Sequence, residues 1–464
     1  MAETRPLTNL QTRDIEAVLH PYTALHKLKT TGTLVIERGE GVYVYDTHGK
    51  AYIEGMSGLW CAGLGFGDAE LIDAATKQLK ELPYYHIFGA KGIEPAIELA
   101  EKLKEIAPVP MSKVFFTSSG SEANDTQVKL AWYLNNALGR PDKKKIISRQ
   151  KAYHGVTIMS ASLTGLPANH ASFDLPVDRV LHTECPHYYR FGKEGESEAE
   201  FTARIVRSLR DLIEREGPDT IAAMIAEPVM GAGGVIVPPK GYYPAIKEVL
   251  DEYDIFLIDD EVINGFGRTG NWWGAQTLGM TPKTISAAKQ MTSAYAPLGA
   301  VMVPQDIYDA YVDQTSKIGT FGHGFTYGGH PLGCALGVKA IEIYQKRDII
   351  GHVRSLTPLF AKRMKELGEH PLVGEARYCG LVGGVELVAD KKTKRSFDPT
   401  QGVGAQMAKF AEGHGAILRA MGDTIGFCPP MIITEAELNE LFDRAEKALD
   451  DAEAWVGKEQ LRAA

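Results

Sequence analysis

Phe256-Leu257-Ile258-Asp259-Asp260-Glu261-Val262 is an apolar run that ends in three adjacent carboxylates, and Gly265-Phe266-Gly267-Arg268-Thr269-Gly270 follows it closely. Carboxylates at the C-terminal end of a parallel strand face the ligand crevice of an open α/β sheet. Burying one there is costly unless it meets a cation. Further on, Ile285-Ser286-Ala287-Ala288-Lys289 is a second apolar run, closed by a lone lysine. A lysine desolvated in that position becomes a nucleophilic amine, which Schiff-base chemistry requires. Upstream, the strand pattern Val114–Phe116 enters Ser118-Ser119-Gly120-Ser121, and a helix opens with Glu122-Ala123-Asn124. Small residues there leave unpaired N–H groups and a positive dipole end at one spot, which suits a phosphate monoester. Ser-rich caps and solvated lysines are ordinary features taken singly. Cradle, acid and lysine in this order point to a site.

Around these runs, β-rich segments alternate with amphipathic ones, the pattern of parallel βαβ units. Expected strands are Lys113–Thr117, Lys145–Arg149, Arg179–His182, Ile221–Ala226 and Ile255–Asp260, with helices at Glu122–Ala137, Glu198–Glu216 and Tyr242–Tyr253. The N-terminal part has a hairpin-like Val42–Tyr45 and Ala51–Glu54 pattern. The C-terminal part mixes helices (Leu336–Gln345, Ser355–Leu367, Glu435–Trp455) with strands (Leu381–Leu387, Ala416–Leu418). We therefore expect a large α/β domain over 66–333 and a smaller domain assembled from 1–65 and 334–464.

The 464 residues are 44% hydrophobic, ample for a buried core, and 50 basic against 59 acidic residues leave a net charge of −9. That balance argues against general nucleic-acid or anionic-membrane binding. No apolar stretch reaches the roughly 18 residues of a membrane span, and Met1–Leu10 lacks the core of a secretory signal. A soluble, cytoplasmic protein is expected. The cysteines (Cys61, Cys185, Cys334, Cys379, Cys428) are scattered without a C-x-x-C pair, so no disulfide framework or zinc site is indicated. Gly63-Leu64-Gly65-Phe66-Gly67 fails the dinucleotide fingerprint because Asp68 takes its last place, and neither a P-loop nor an H-E-x-x-H motif is present. Asn124-Asp125-Thr126 matches the glycosylation sequon but lies in a helical pattern, and it reads as a chance match.

Ser119-Gly120-Ser121-Glu122-Ala123-Asn124, Tyr153-His154-Gly155, Ala226-Glu227-Pro228-Val229, Asp260-Glu261-Val262 with its Gly-rich sequel, Lys289, and Phe325-Thr326-Tyr327 before Gly329-His330-Pro331 stand in a familiar order and spacing. In these motifs the chain resembles the class III (ω-) aminotransferases of PLP fold type I over almost its whole length, and most of all the amine:pyruvate and ω-amino acid:pyruvate branch. The resemblance implies a mostly parallel seven-stranded sheet in the large domain, a smaller α+β domain, and pyridoxal 5′-phosphate (PLP) as cofactor. It implies that Lys289 carries the cofactor covalently and moves a proton, and that Asp260 keeps the pyridine nitrogen protonated. Ser119, Gly120 and Ser121 would hold the phosphate, joined by Thr326 of the facing subunit of a homodimer, which can pair further into a tetramer. Tyr153 and Val262 would sandwich the ring. His154 and Glu227 match motif positions near it: Glu227 would orient the cofactor's 3′-oxygen side or its neighbours, and a satisfied core histidine is the alternative for His154. Asp259 is expected to hydrogen-bond locally.

The same resemblance places Trp60, Phe88, Tyr153 and Ala232 around the substrate, and Arg419 where a mobile arginine pairs with the acceptor's carboxylate. The expected reaction moves an amino group from an amine or ω-amino acid to an oxo acid, pyruvate first, by a ping-pong route. Because the same lysine and carboxylate serve decarboxylases, racemases and aminomutases of this fold, those reactions stand as the alternative.

Overall fold

The structure, a computed structural model, describes residues 7–462. Met1–Pro6, which open the stretch weighed above as a secretory signal, lie outside the described residues. The central sheet has seven strands, in the spatial order Lys113–Thr117, Gly299–Val303, Thr284–Ala287, Phe256–Asp260, Ile221–Ala226, Lys145–Arg149 and Val180–Thr183. Neighbours pair in parallel except for Gly299–Val303, which is antiparallel to both of its partners. The sheet is thus mostly parallel, as expected, and three of the expected strands have the same bounds.

Strand alternation divides the buried side chains between the two faces. Ile146, Ile225 and Ile258 pack with Val128 and Ala131 of the helix Gly120–Ala137. Ile147, Met224 and Leu257 join Phe201 of Glu198–Glu216 and Ile246 of Tyr242–Glu252. Within Phe256–Asp260 the same alternation puts Asp260 on the face of Ile258, beside the helix that begins with the Ser-Gly-Ser run. Asp259 goes to the opposite face with Leu257. Every residue of Ile221–Ala226 is buried, which suits a strand covered by helices on both sides.

Two smaller sheets complete the molecule. One pairs Ile36–Glu40, Tyr43–Asp46 and Ala51–Glu54 with Ala416–Ile417, the last pair running parallel. The other orders Val373–Cys379, Val382–Leu387, Thr424–Phe427 and Arg419–Met421, all antiparallel. The helix Ile349–Glu369 packs against this second sheet and against Glu435–Lys458. Among the described residues no helix is long and apolar enough to cross a membrane, and all five cysteines are free thiols.

Candidate active site

The parallel strands end in a cavity of about 900 Å³ that residues from both parts of the chain enclose. At its floor Asp260, 3% exposed, accepts hydrogen bonds on Oδ2 from Asn124 Nδ2 and His154 Nδ1, each at 2.7 Å. Its Oδ1 accepts the Val262 N–H at 3.1 Å. Three donors from separate elements therefore fix the carboxylate. Asn124 Nδ2 also donates to His154 O at 2.7 Å, so the chance sequon is buried inside this network. His154 Nε2 is buried and has no hydrogen-bond partner among the described residues.

Glu227 lies just past the neighbouring strand, buried, and accepts the N–H groups of Tyr153 and Gly231 at 2.9 Å each. Burial raises its carboxyl above the usual range. It ties the segment bearing Tyr153 to the loop bearing Ala232. Strand alternation sends Asp259 to the packed face, where its carboxyl interacts with that of the neighbouring Glu261. Burial and the adjacent carboxylates hold it well above the ordinary range. Glu261 accepts the N–H groups of Ala275 (2.7 Å) and Gly274 (3.0 Å), and burial pushes it up to about 7.

Lys289 follows the strand Thr284–Ala287 and starts a short turn at φ +49°, a left-handed conformation outside regular helix or strand. Burial lowers its amine below the ordinary lysine value, while Cys61, Asp260 and Glu227 pull the other way. The helix Gly120–Ala137 is capped by Ser119, whose Oγ accepts the Glu122 N–H at 3.1 Å. The N–H groups of Gly120 and Ser121 find no acceptor among the described residues. A Cβ on Gly120 would stand 2.9 Å from Val262 Cγ1, so a side chain there would crowd the cradle. Two free donors at a helix N-terminus fit a phosphate, a fixed carboxylate fits a pyridine N–H, and a desolvated amine fits an aldehyde. These residues fit PLP.

Tyr153, Val262, Trp60, Ala232 and Arg419 also line the cavity. Burial raises the Tyr153 hydroxyl. Trp60 is buried at φ +65°. Arg419 is half-buried in its edge strand, and its guanidinium makes no hydrogen bond or ion pair among the described residues. Two expected residues are elsewhere. Phe88 does not line this chain's cavity: it is 46% exposed and meets His86 edge-on. Thr326 is exposed too, its carbonyl accepting the Tyr84 hydroxyl at 2.9 Å. Both lie on neighbouring surface loops, since a Cβ on Gly324 would touch the Phe88 ring. Tyr22 and Cys61, which also line the cavity, went unassigned in the sequence, and Asn124 was quoted there only as a motif letter.

Comparison with known proteins agrees with this chemistry. The family model Aminotransferase class-III matches residues 25–449. Gamma aminobutyrate transaminase 3, chloroplastic, of Solanum lycopersicum is 48% identical over 440 residues, covering 95% of this chain and 85% of that protein. The crystal structure of an omega transaminase from Pseudomonas jessenii in complex with PMP superposes at a TM-score of 0.95 with 51% identity, over 97% of this chain and 99% of that one. A PMP-bound aminotransferase from Vibrio fluvialis gives 0.94 and 44%, over 97% and 99%. Site chemistry, fold and the family match lead to one assignment: the chain belongs to the class III aminotransferases, enzymes that use PLP.

Proposed function

We propose that this aminotransferase takes nitrogen from an amine or ω-amino acid and delivers it to an oxo acid, with pyruvate as acceptor, in two half-reactions at one cavity. Bound PLP supplies an electron sink and carries the nitrogen between the two substrates. Asp260, held by Asn124, His154 and the Val262 N–H, would balance the positive charge of a protonated pyridine. Lys289 would anchor the cofactor, and its amine would accept a proton from the substrate carbon and return it. Gly120 and Ser121 would offer their free N–H groups to the phosphate, with Ser119 shaping the turn. Tyr153 and Val262 would hold the ring, and Trp60 and Ala232 would bound the substrate.

The observation that carries the acceptor is Arg419. An unpaired guanidinium at the wall of a largely apolar cavity is a ready partner for a carboxylate. Its freedom lets the same cavity take an uncharged amine in the other half-reaction. The names of the tomato and Pseudomonas relatives, gamma aminobutyrate and omega transaminase, support donors of the γ- and ω-amine kind. Phe88 and Thr326, exposed on adjoining loops, suit a homodimer in which each subunit completes the other's site. Free cysteines suit a reducing compartment such as the cytoplasm.

The test is the visible spectrum of the purified protein through a donor and then an acceptor. Excess 1-phenylethylamine or γ-aminobutyrate is expected to bleach the yellow band, and pyruvate to restore it with formation of alanine. A band that no amine bleaches, or that another oxo acid restores and pyruvate does not, overturns the proposal.

A further inference from the structure

The loop that carries Ala232 is closed tightly and held in a strained form. Met230 and Ile236 pair as an isolated antiparallel bridge, and the N–H groups of Gly234 and Val235 both donate to Gly231 O, at 3.0 and 2.9 Å. Val235 sits at φ +53°. A β-branched residue resists that left-handed conformation, so the surroundings must over-determine it. The reward is placement: Val235 is fully buried in one apolar cluster with Trp60, Met56 and Ile263.

Arg377 supplies the outside grip. Its Nε donates to the carbonyls of Gly234 (3.0 Å) and Val235 (3.1 Å), and Nη2 donates to Gly234 O as well. Nη1 turns the other way, to Glu375 and Glu386. Arg190 pairs with Glu386, and His187 Nε2 faces Glu375 at 2.8 Å. Two guanidiniums thus match two carboxylates, and the cluster of His187, Glu375 and Glu386 has its ligand atoms already engaged. Arg377 belongs to the strand Val373–Cys379, in the sheet whose far edge, Arg419–Met421, carries Arg419.

We infer that Arg377 is a positioning residue for amine size: by holding the Gly231–Val235 loop it fixes the cavity wall made by Ala232 and, through Val235, Trp60, and ties that wall to the sheet bearing Arg419. The inference rests on the amine-transaminase reading of the cavity. The planar fork of arginine reaches two carbonyls and two carboxylates together, which the single ammonium of lysine cannot.

Arg377→Lys keeps a cation beside Glu375 and Glu386 but loses the fork. It is expected to change the ratio of kcat/KM for 1-phenylpropylamine to that for 1-phenylethylamine by about tenfold, the discrimination that one methylene carries in an apolar pocket. The amides of Gly234, Val235 and Ile236 are expected to exchange hydrogen about tenfold faster. Should Arg377→Lys fail to fold, Arg377→Met with Glu375→Gln removes one charge of each sign and is expected to behave alike. A merely structural arginine would lower the melting temperature and leave both readouts within twofold of wild type, which overturns the inference. If the wild-type enzyme used neither amine, the proposed donor class would fall, and the exchange rates in the loop would still decide the part played by Arg377.

Discussion

His154 Nδ1 stands 2.7 Å from Asp260 Oδ2 with both side chains buried, so the ring donates to the carboxylate from one side as Asn124 donates from the other. An acceptor surrounded by donors cannot be exchanged for an amide of the same shape, because one face of the amide presents N–H to N–H. Asp260→Asn is expected to lower kcat by about a hundredfold or more, the scale of losing a preorganised charge at a reacting centre. His154→Phe is expected to cost about tenfold, the scale of one charge-assisted hydrogen bond. Single-turnover bleaching by amine measures both. An Asp260→Asn enzyme with full activity would remove Asp260 from the chemistry.

Lys289→Ala is expected to abolish turnover with either substrate. Because burial lowers the amine below its ordinary value of 10.5, neutral Nζ is present at a lower pH than in a free lysine. Capture of added PLP by the apoenzyme should therefore speed up as pH rises and level off below pH 10.5. A rate that still climbs beyond that value would show a solvated lysine.

Arg419→Ala is expected to raise the pyruvate KM by ten- to hundredfold, the equivalent of about 1.5–3 kcal/mol for an arginine–carboxylate pair. Bleaching by 1-phenylethylamine should continue at the wild-type rate. Since the Arg419 guanidinium has no hydrogen bond or ion pair among the described residues, the melting temperature should not move. An unchanged pyruvate KM would place the acceptor's carboxylate elsewhere.

Gly120→Ala adds a carbon 2.9 Å from Val262 Cγ1, at the floor of the phosphate cradle. It is expected to weaken PLP binding by about tenfold, or roughly 1.4 kcal/mol, as read by fluorescence titration of the apoenzyme. Affinity equal to wild type would mean that the phosphate lies away from this turn.

Glu54 is buried at the end of Ala51–Glu54, where it accepts the Met56 N–H at 2.8 Å, and burial pushes its carboxyl up to about 7. A carboxyl raised in the folded state favours folding most at low pH, and that contribution disappears as pH rises through about 7. Glu54→Gln should thus raise the melting temperature relative to wild type at pH 9 and leave it little changed at pH 5. Equal effects at both pH values would rule out this account.

The central strands were legible because a parallel strand covered on both faces is an uninterrupted apolar run, as Ile221–Ala226 shows. Gly299–Val303 is absent from the expected strands, and its antiparallel direction had no signal either, since an antiparallel strand inside such a sheet is equally apolar. Asp260 and Lys289 announced themselves as charges at the ends of apolar runs. Asn124 did not: mid-helix, its burial depends on which face meets Asp260, and that follows from packing. Glu227 is expected beside the cofactor's 3′-oxygen, but its hold on two backbone amides lying 74 and 4 residues away in sequence follows only from the packing. Phe88 is expected at the cavity wall from its motif position alone, and the fold instead leaves it exposed beside His86, a placement that depends on how its loop packs rather than on its own residue type. Arg377 drew no notice for a similar reason: its partners are backbone carbonyls, which any sequence supplies.

The parallel pairing of Ala51–Glu54 with Ala416–Ile417, and the Ser57 hydroxyl on Cys428 O across 371 residues of sequence, set the order in which the molecule can assemble. During synthesis the first three strands emerge able to pair only with one another, their fourth neighbour Ala416–Ile417 still unmade, while the seven-stranded sheet is complete once Val303 has left the ribosome. The wall bearing Trp60 can settle only after the last hundred or so residues follow. The two sides of the cavity are therefore finished at different times, the turn at Gly120 and the strand before Lys289 first, and the wall of Trp60 and Arg419 last.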